Sequence, residues 1–176
     1  MKNILLITFC FLFFSCGAKK EILSQRQDIY DLIKNDVCEI SLPEDWVQVF
    51  DVHKFLYLTP RKFKNDYIKN RVSIFRYFKI GEETLESVAD QHLRMFKSNY
   101  KIVIKNKATE NTKFGETLIY NVDQFWSSYH LENQIRFFKI DDNVYVFSYK
   151  SFPEYFKEYL PKADFIYENL VVRGTH

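Results

Sequence analysis

From Lys101 to Lys150 the chain reads as strand after strand, joined by connections of hairpin length, and this restricts the fold more than any other feature. Lys101–Lys107 alternates Ile102 and Ile104 with Lys101, Lys105 and Lys107. Glu116–Trp126, extendable to Tyr129, follows, then Gln134–Ile140 and Val144–Lys150. Antiparallel neighbours can be joined by a tight turn, whereas parallel ones need a crossover of roughly a dozen residues or more. Asp141-Asp142-Asn143 supplies turn chemistry between the last two strands, because short Asx side chains bond their own backbone and tolerate left-handed conformations. An antiparallel meander is the expectation.

Helical patterns bracket this meander. Thr84 to Tyr100 places Leu85, Val88, Ala89, His92, Leu93, Phe96 and Tyr100 on one face, the spacing of an amphipathic helix. Ser151-Phe152-Pro153-Glu154 has the form of a capping box with an early-helix proline. The helix it opens points Phe156, Tyr159, Leu160, Ala163, Ile166 and Leu170 inward. Pro161 lacks the N–H that would bond to the Lys157 carbonyl, which predicts a kink or break. Upstream, Val37–Leu42 reads as a strand stopped by Pro43, followed by a turn and Trp46–Val49. Phe55–Thr59 and the β-rich Arg71–Phe78 complete the first half. Gly17 to Asp36 is polar, with Ile22, Ile29, Tyr30 and Ile33 at loosely helical spacing, a short helix or a tether. The order of elements predicts an α+β fold, an antiparallel β-sheet packed by helices.

The first residues, MKNILLITFCFLFFSC, carry Lys2 and then an apolar run of 11 residues from Ile4 to Phe14. A membrane-spanning helix needs about 20, so the run has the length of a signal-peptide core. Ser15-Cys16-Gly17 resembles the lipobox of bacterial lipoproteins, with Phe13 in place of the usual leucine. The resemblance implies a signal peptide over 1–15, acylation of Cys16 and anchoring to the membrane through lipid. Stable anchoring needs two or more chains at about 0.8 kcal/mol per buried CH₂. Gly17, where an aspartate would resemble an inner-membrane retention signal, favours an outer-membrane protein facing the periplasm. The expected layout is thus a signal peptide, a lipidated N-terminus with tether or short helix over 16–36, one α+β domain over 37–172, and a tail over 173–176.

After loss of residues 1–15 the chain would keep 24 basic and 23 acidic side chains. That balance argues against nucleic acid, which calls for a clear basic footprint. Of the three cysteines, Cys10 leaves with the signal and Cys16 carries lipid. Cys38 then has no intramolecular partner, and its place in an alternating stretch with Ile40 and Leu42 marks it as a small buried hydrophobe.

Ile40-Ser41-Leu42-Pro43-Glu44-Asp45-Trp46, an apolar strand ending in proline with tryptophan three residues on, resembles the opening of PsbP-like domains. The order that follows is similar too: VSIFRYF, a helix after Glu83-Thr84-Leu85, meandering strands, and a last helix before Leu170-Val171-Val172. The DcrB-type lipoproteins of bacterial envelopes resemble it as well, joining this fold to a lipobox. The family includes a photosystem II subunit, a Ran-binding protein and chaperones of secreted effectors. The resemblance therefore implies docking on other proteins, with no catalytic motif and no cofactor to carry over. Trp46 is expected to be structural, plugging the sheet edge.

Few residues suggest chemistry. Asp51/His53 and His130/Glu132 are two pairs that could hold a metal only if the fold united them, and zinc sites show tighter clusters. His92 lies on an apolar helix face, the place of a hydrogen-bonded core histidine. No catalytic residue and no metal ligand is assigned; a cluster of His53, His130 and Asp123 would be needed to revive an enzyme. The run Arg61-Lys62-Phe63-Lys64 to Arg71 could meet anionic headgroups or an acidic partner, with Arg61, Lys62 and Lys64 as its candidates. The aromatics are stronger. Tyr145, Phe147 and Tyr149 share one strand face, opposite Val144 and Val146, so either both sheet faces are covered or one offers an aromatic surface. Phe125, Trp126 and Tyr129 sit near a hairpin end and could form its rim. The sequence thus points to a lipid-anchored, non-catalytic interaction module with an envelope protein partner. The alternative is a periplasmic carrier or sensor of an apolar ligand, which needs an enclosed cavity of roughly 300–1,000 Å³.

Overall fold

The computed structural model describes residues 26–51, 53, 55–78 and 80–173. The expected signal peptide, Cys16 and the part of the expected tether or short helix up to residue 25 lie outside them, as do residues 174–176. In chain order the elements are β1 (Arg26–Asp28), α1 (Ile29–Lys34), β2 (Cys38–Glu39), β3 (Trp46–Phe50), β4 (Leu56–Pro60) and β5 (Asn70–Tyr77). Next come α2 (Leu85–Asn99), β6 (Lys101–Thr112), β7 (Gly115–Trp126), β8 (Tyr129–Ile140), β9 (Asn143–Ser151), α3 (Pro153–Glu168) and β10 (Val171–Val172).

The main sheet is antiparallel and runs β3-β4-β5-β9-β8-β7-β6, with β1 pairing along the far end of β5. Helix α2 carries the chain from the middle of the sheet to its far edge, and β6 to β9 then meander back until β9 closes on β5. The turns are tight: Ser127 and Asp141 take left-handed conformations at φ 55° and 52°. β2 and β10 form a separate pair that ties the start of the domain to its end.

Helices cover both faces. α1 and α3 pack on Leu58, Val72, Ile74, Tyr145, Phe147 and Tyr149, while α2 packs on Phe75, Tyr77, Leu118, Phe137, Val144 and Val146. Alternation assigns each strand residue to one side or the other, because successive side chains of a strand point to opposite faces. β9 is the centre of this sandwich, buried along its whole length. Phe138 stacks on Phe114 at 4.3 Å and on Tyr145 at 5.5 Å, so aromatic packing holds the α3 side together.

Several local expectations are corrected. Ser151 is the last residue of β9, its hydroxyl donates to the Lys69 carbonyl, and Phe152 is the N-cap of α3 with no side-chain cap. The capping box does not form because the strand pairing of Ser151 with Asn70 and Glu132 claims the serine first. α3 continues through Pro161 without a break. Val37–Leu42 is strand only at Cys38 and Glu39, yet Ile40 and Leu42 still pack against the core. The folded unit also begins upstream of Val37, since Ile29 and Leu32 of α1 are buried in the same core.

Candidate functional site

The alternating aromatics of β9 are core. Tyr145, Phe147 and Tyr149 are at most 1% exposed beneath α1 and α3, so they offer no surface to a partner. Both faces of the strand look apolar in sequence because both are covered. The basic run forms a short 3₁₀ turn (Arg61–Phe63) against α3. Lys62 lies over Phe63, Tyr155 and Tyr159 and pairs with Glu158 at 3.5 Å. Lys69 pairs with Asp66, and Arg71 covers Tyr57 and Tyr67. Arg61 and Lys64 are exposed and have no ion pair among the described residues.

Trp126 and Tyr129, by contrast, are 46% and 41% exposed at the β7–β8 turn, with ring centroids 5.8 Å apart. Trp126 also meets Tyr100 at the end of α2, at 6.3 Å, and Tyr129 meets Phe152 after β9, at 5.7 Å. Tyr100 in turn packs on Phe96. The four rim rings, with Phe96 behind them, line the open end of the wedge between α2 and the sheet.

Inside that rim the floor mixes the buried Leu131 of β8 with polar side chains. Lys150 of β9 is 6% exposed, and its ammonium lies 5.2 Å from the Phe96 ring centroid. No carboxylate among the described residues pairs with it. Burial pushes its pKa well below the usual lysine value, and the Arg71 guanidinium opposite it on β5 pushes the same way. Asn133, its partner on β8, is buried and accepts a hydrogen bond from Ser148 at 2.9 Å. Gln124 of β7 is 3% exposed, and its Oε1 is buried with no donor among the described residues. An uncompensated buried acceptor costs roughly 1–3 kcal/mol and a buried charge more. Two such groups at one end of a domain make it the leading site.

Phe125 points to the opposite face. It stacks on His130 at 4.7 Å, and His130 Nε2 lies 3.2 Å from Asp123, which also pairs with Lys105 at 2.9 Å. Glu132 joins through Lys105. Burial raises the Asp123 pKa, but Lys105 and His130 outweigh it and hold the carboxyl below its ordinary value. His53 sits on the β3–β4 connection at the other edge of the sheet, so the cluster needed for an enzyme does not assemble. Among the described residues no group of three or more His, Cys, Asp and Glu side chains could hold a metal. His92 is a core histidine, with Nδ1 2.8 Å from the Tyr77 hydroxyl. Burial pushes the Cys38 thiol up to about 12, the value of an inert buried group. Two surface hollows of about 510 and 480 Å³ lie beside Glu82–Thr84 and between Pro43 and Phe165, and both open to solvent.

No family model and no curated protein matches the chain in sequence. Solved structures do match in shape. The solution structure of cyanobacterial PsbP (CyanoP) from Synechocystis sp. PCC 6803 superposes with a TM-score of 0.60 at 11% identity, covering 90% of this chain and 98% of that one. The fold is PsbP-like. LpqN, involved in cell envelope biogenesis of Mycobacterium tuberculosis, superposes with a TM-score of 0.55 at 8% identity over 77% of this chain and 82% of its own. At this end of the wedge the sequence singled out Trp126 and Tyr129 as surface candidates and placed Tyr100 on the helix face, but did not single out Gln124, Lys150 or Phe152. The missed signal was Lys150 itself, a lysine in phase with Val144 and Val146 on a strand face that must be covered.

Proposed function

We propose that the protein is a lipid-anchored accessory module of the cell envelope that docks on a partner protein and performs no catalysis. The observation that carries this is the aromatic rim at the end of α2, where Trp126 and Tyr129 stand exposed beside Tyr100 and Phe152. Large rigid aromatics lose little entropy when they are covered and are enriched at the centre of protein interfaces. Support for the address comes from the lipobox-like Ser15-Cys16-Gly17 and from the shared fold of LpqN, which acts in envelope biogenesis. No helix among the described residues is long and apolar enough to cross a membrane. The outer membrane, facing the periplasm, is the proposed location.

The test is crosslinking and affinity capture from gently solubilised native envelopes, using wild type, Cys16→Ser and the double variant Trp126→Ala/Tyr129→Ala. One partner recovered with wild type, and lost in the aromatic variant while the fold persists, is the expected result. Loss in Cys16→Ser as well would assign placement to the lipid. Recovery of the same partner by the aromatic variant would overturn this surface as the docking site.

A further inference from the structure

The rim and floor at the end of α2 hold complementary halves of one recognition site. The rim is aromatic: Tyr100, Trp126, Tyr129 and Phe152. The floor carries the Lys150 amine and an amide acceptor, Gln124 Oε1, two strands apart on the same face, with the buried Leu131 and Asn133 of β8 between them. Phe96 lies over the ammonium and contributes only its ring, which attracts a cation without neutralising it. Among the described residues the arrangement offers no anion to the lysine and no N–H to the Gln124 oxygen. A polypeptide residue with a free carboxylate supplies both, since its own amide N–H accompanies the carboxylate, and an aromatic or apolar side chain would cover the rim.

We infer that this cleft binds a carboxylate of a partner polypeptide, with Lys150 as the anion-binding group, Gln124 as acceptor for the adjacent N–H, and the four rings as the seat of an apolar side chain. The inference rests on the docking proposal and narrows it to the chemistry of the docked segment. A charge-assisted bond made out of water is strong, because the low local dielectric favours the pair. Without the carboxylate the protein bears the cost of a buried lysine, consistent with the depression of its pKa by burial.

The probe is N-acetyl-phenylalanine, compared with N-acetyl-phenylalanine amide, titrated into the full-length protein. Intrinsic fluorescence reports directly: of the two tryptophans Trp126 is at the rim, whereas Trp46 is 3% exposed in the core against α3. The free acid is expected to saturate and the amide to bind about tenfold more weakly or worse. Lys150→Met should retain the fold by circular dichroism and bind acid and amide equally. Lys64→Met, remote and exposed, should behave as wild type. Equal binding of acid and amide by wild type, or a preference that survives Lys150→Met, would overturn the inference. The two proposals fail separately. Partner capture that depends on Trp126 and Tyr129 but is unaffected by Lys150→Met and by excess acid probe would leave docking intact and refute the carboxylate. Acid-selective binding with no partner captured would do the reverse.

Discussion

The floor beneath α2 comes in two halves that differ in kind. Under the first turns, Leu85, Val88, Ala89 and Leu93 press on Phe75, Tyr77, Phe137, Val144 and Val146, an apolar layer closed to water. Under the last turn, Phe96 lies over Lys150, and Asn133, Ser148 and Gln124 are buried on the same face of the sheet. One helix and the same strands build both. The first half is what folding requires; the second costs stability, and proteins keep such costs where function needs them. The contrast teaches that the end of the wedge, not its middle, is where this chain departs from the demands of packing.

The sharpest way to separate the halves is to empty one. Phe137 is 0% exposed between Tyr120 and His92, so Phe137→Ala is expected to cost about 3–5 kcal/mol through lost burial and the cavity left behind. Urea unfolding followed by circular dichroism measures it. A loss below 1 kcal/mol would mean that the apolar half is not the structural one.

In the polar half the sign should reverse. Lys150→Met keeps the stem, removes the amine, and is expected to stabilise by about 2 kcal/mol or more at neutral pH. The gain should depend on pH. Lys150 has a depressed pKa in the folded state and an ordinary one, about 10.4, when unfolded. Between those values the unfolded chain binds the extra proton, so wild-type stability rises with pH by about 1.4 kcal/mol per unit. Below the folded value the penalty is constant. The advantage of Lys150→Met should therefore shrink as pH rises toward about 10.4 and vanish above it. Arg71 is the charged neighbour named by this field; Phe96 above and Asn133 beside it do not titrate. A Met variant less stable than wild type at pH 7 would show that the ammonium is already compensated. Gln124→Leu should shift stability the same way, by about 1 kcal/mol or less, because it removes an acceptor that has no donor among the described residues.

The first half of this contrast could be read from the sequence, and the second could not. The spacing of Leu85, Val88, Ala89 and Leu93 marked an amphipathic helix, and alternation through Val144 and Val146 marked its floor. Strand ends were harder. Ala108–Thr112 continues β6 with no apolar alternation, because β6 is an edge strand largely exposed along its length. Tyr129–Asn133 opens β8 with mixed residues because Glu132 and His130 are satisfied by Lys105 and Asp123 on the far face. The aromatics of β9 announced burial on both faces, but only the placement of α1 and α3 decided that Tyr145, Phe147 and Tyr149 were covered. Lys150 sat in phase with the inner residues all along. A lysine near a strand end ordinarily reaches solvent, so phase alone could not say that Phe96 would close over it.

The smallest effect on stability should accompany the largest effect on binding. Trp126 is 46% exposed, and its ring meets only Tyr100 and Tyr129 among the described aromatic residues. Trp126→Ala should therefore change the unfolding free energy by no more than about 0.5 kcal/mol, as surface substitutions away from special features do. Yet it removes the largest ring of the rim and, on the proposal above, the anchor of any docked segment. Equilibrium unfolding and capture of the envelope partner, measured on the same preparation, make the test. Unchanged stability with lost capture would place Trp126 outside the fold's needs and inside its function. A loss of 2 kcal/mol or more would move it to the structural half, and the division of the wedge would have to be drawn nearer to solvent.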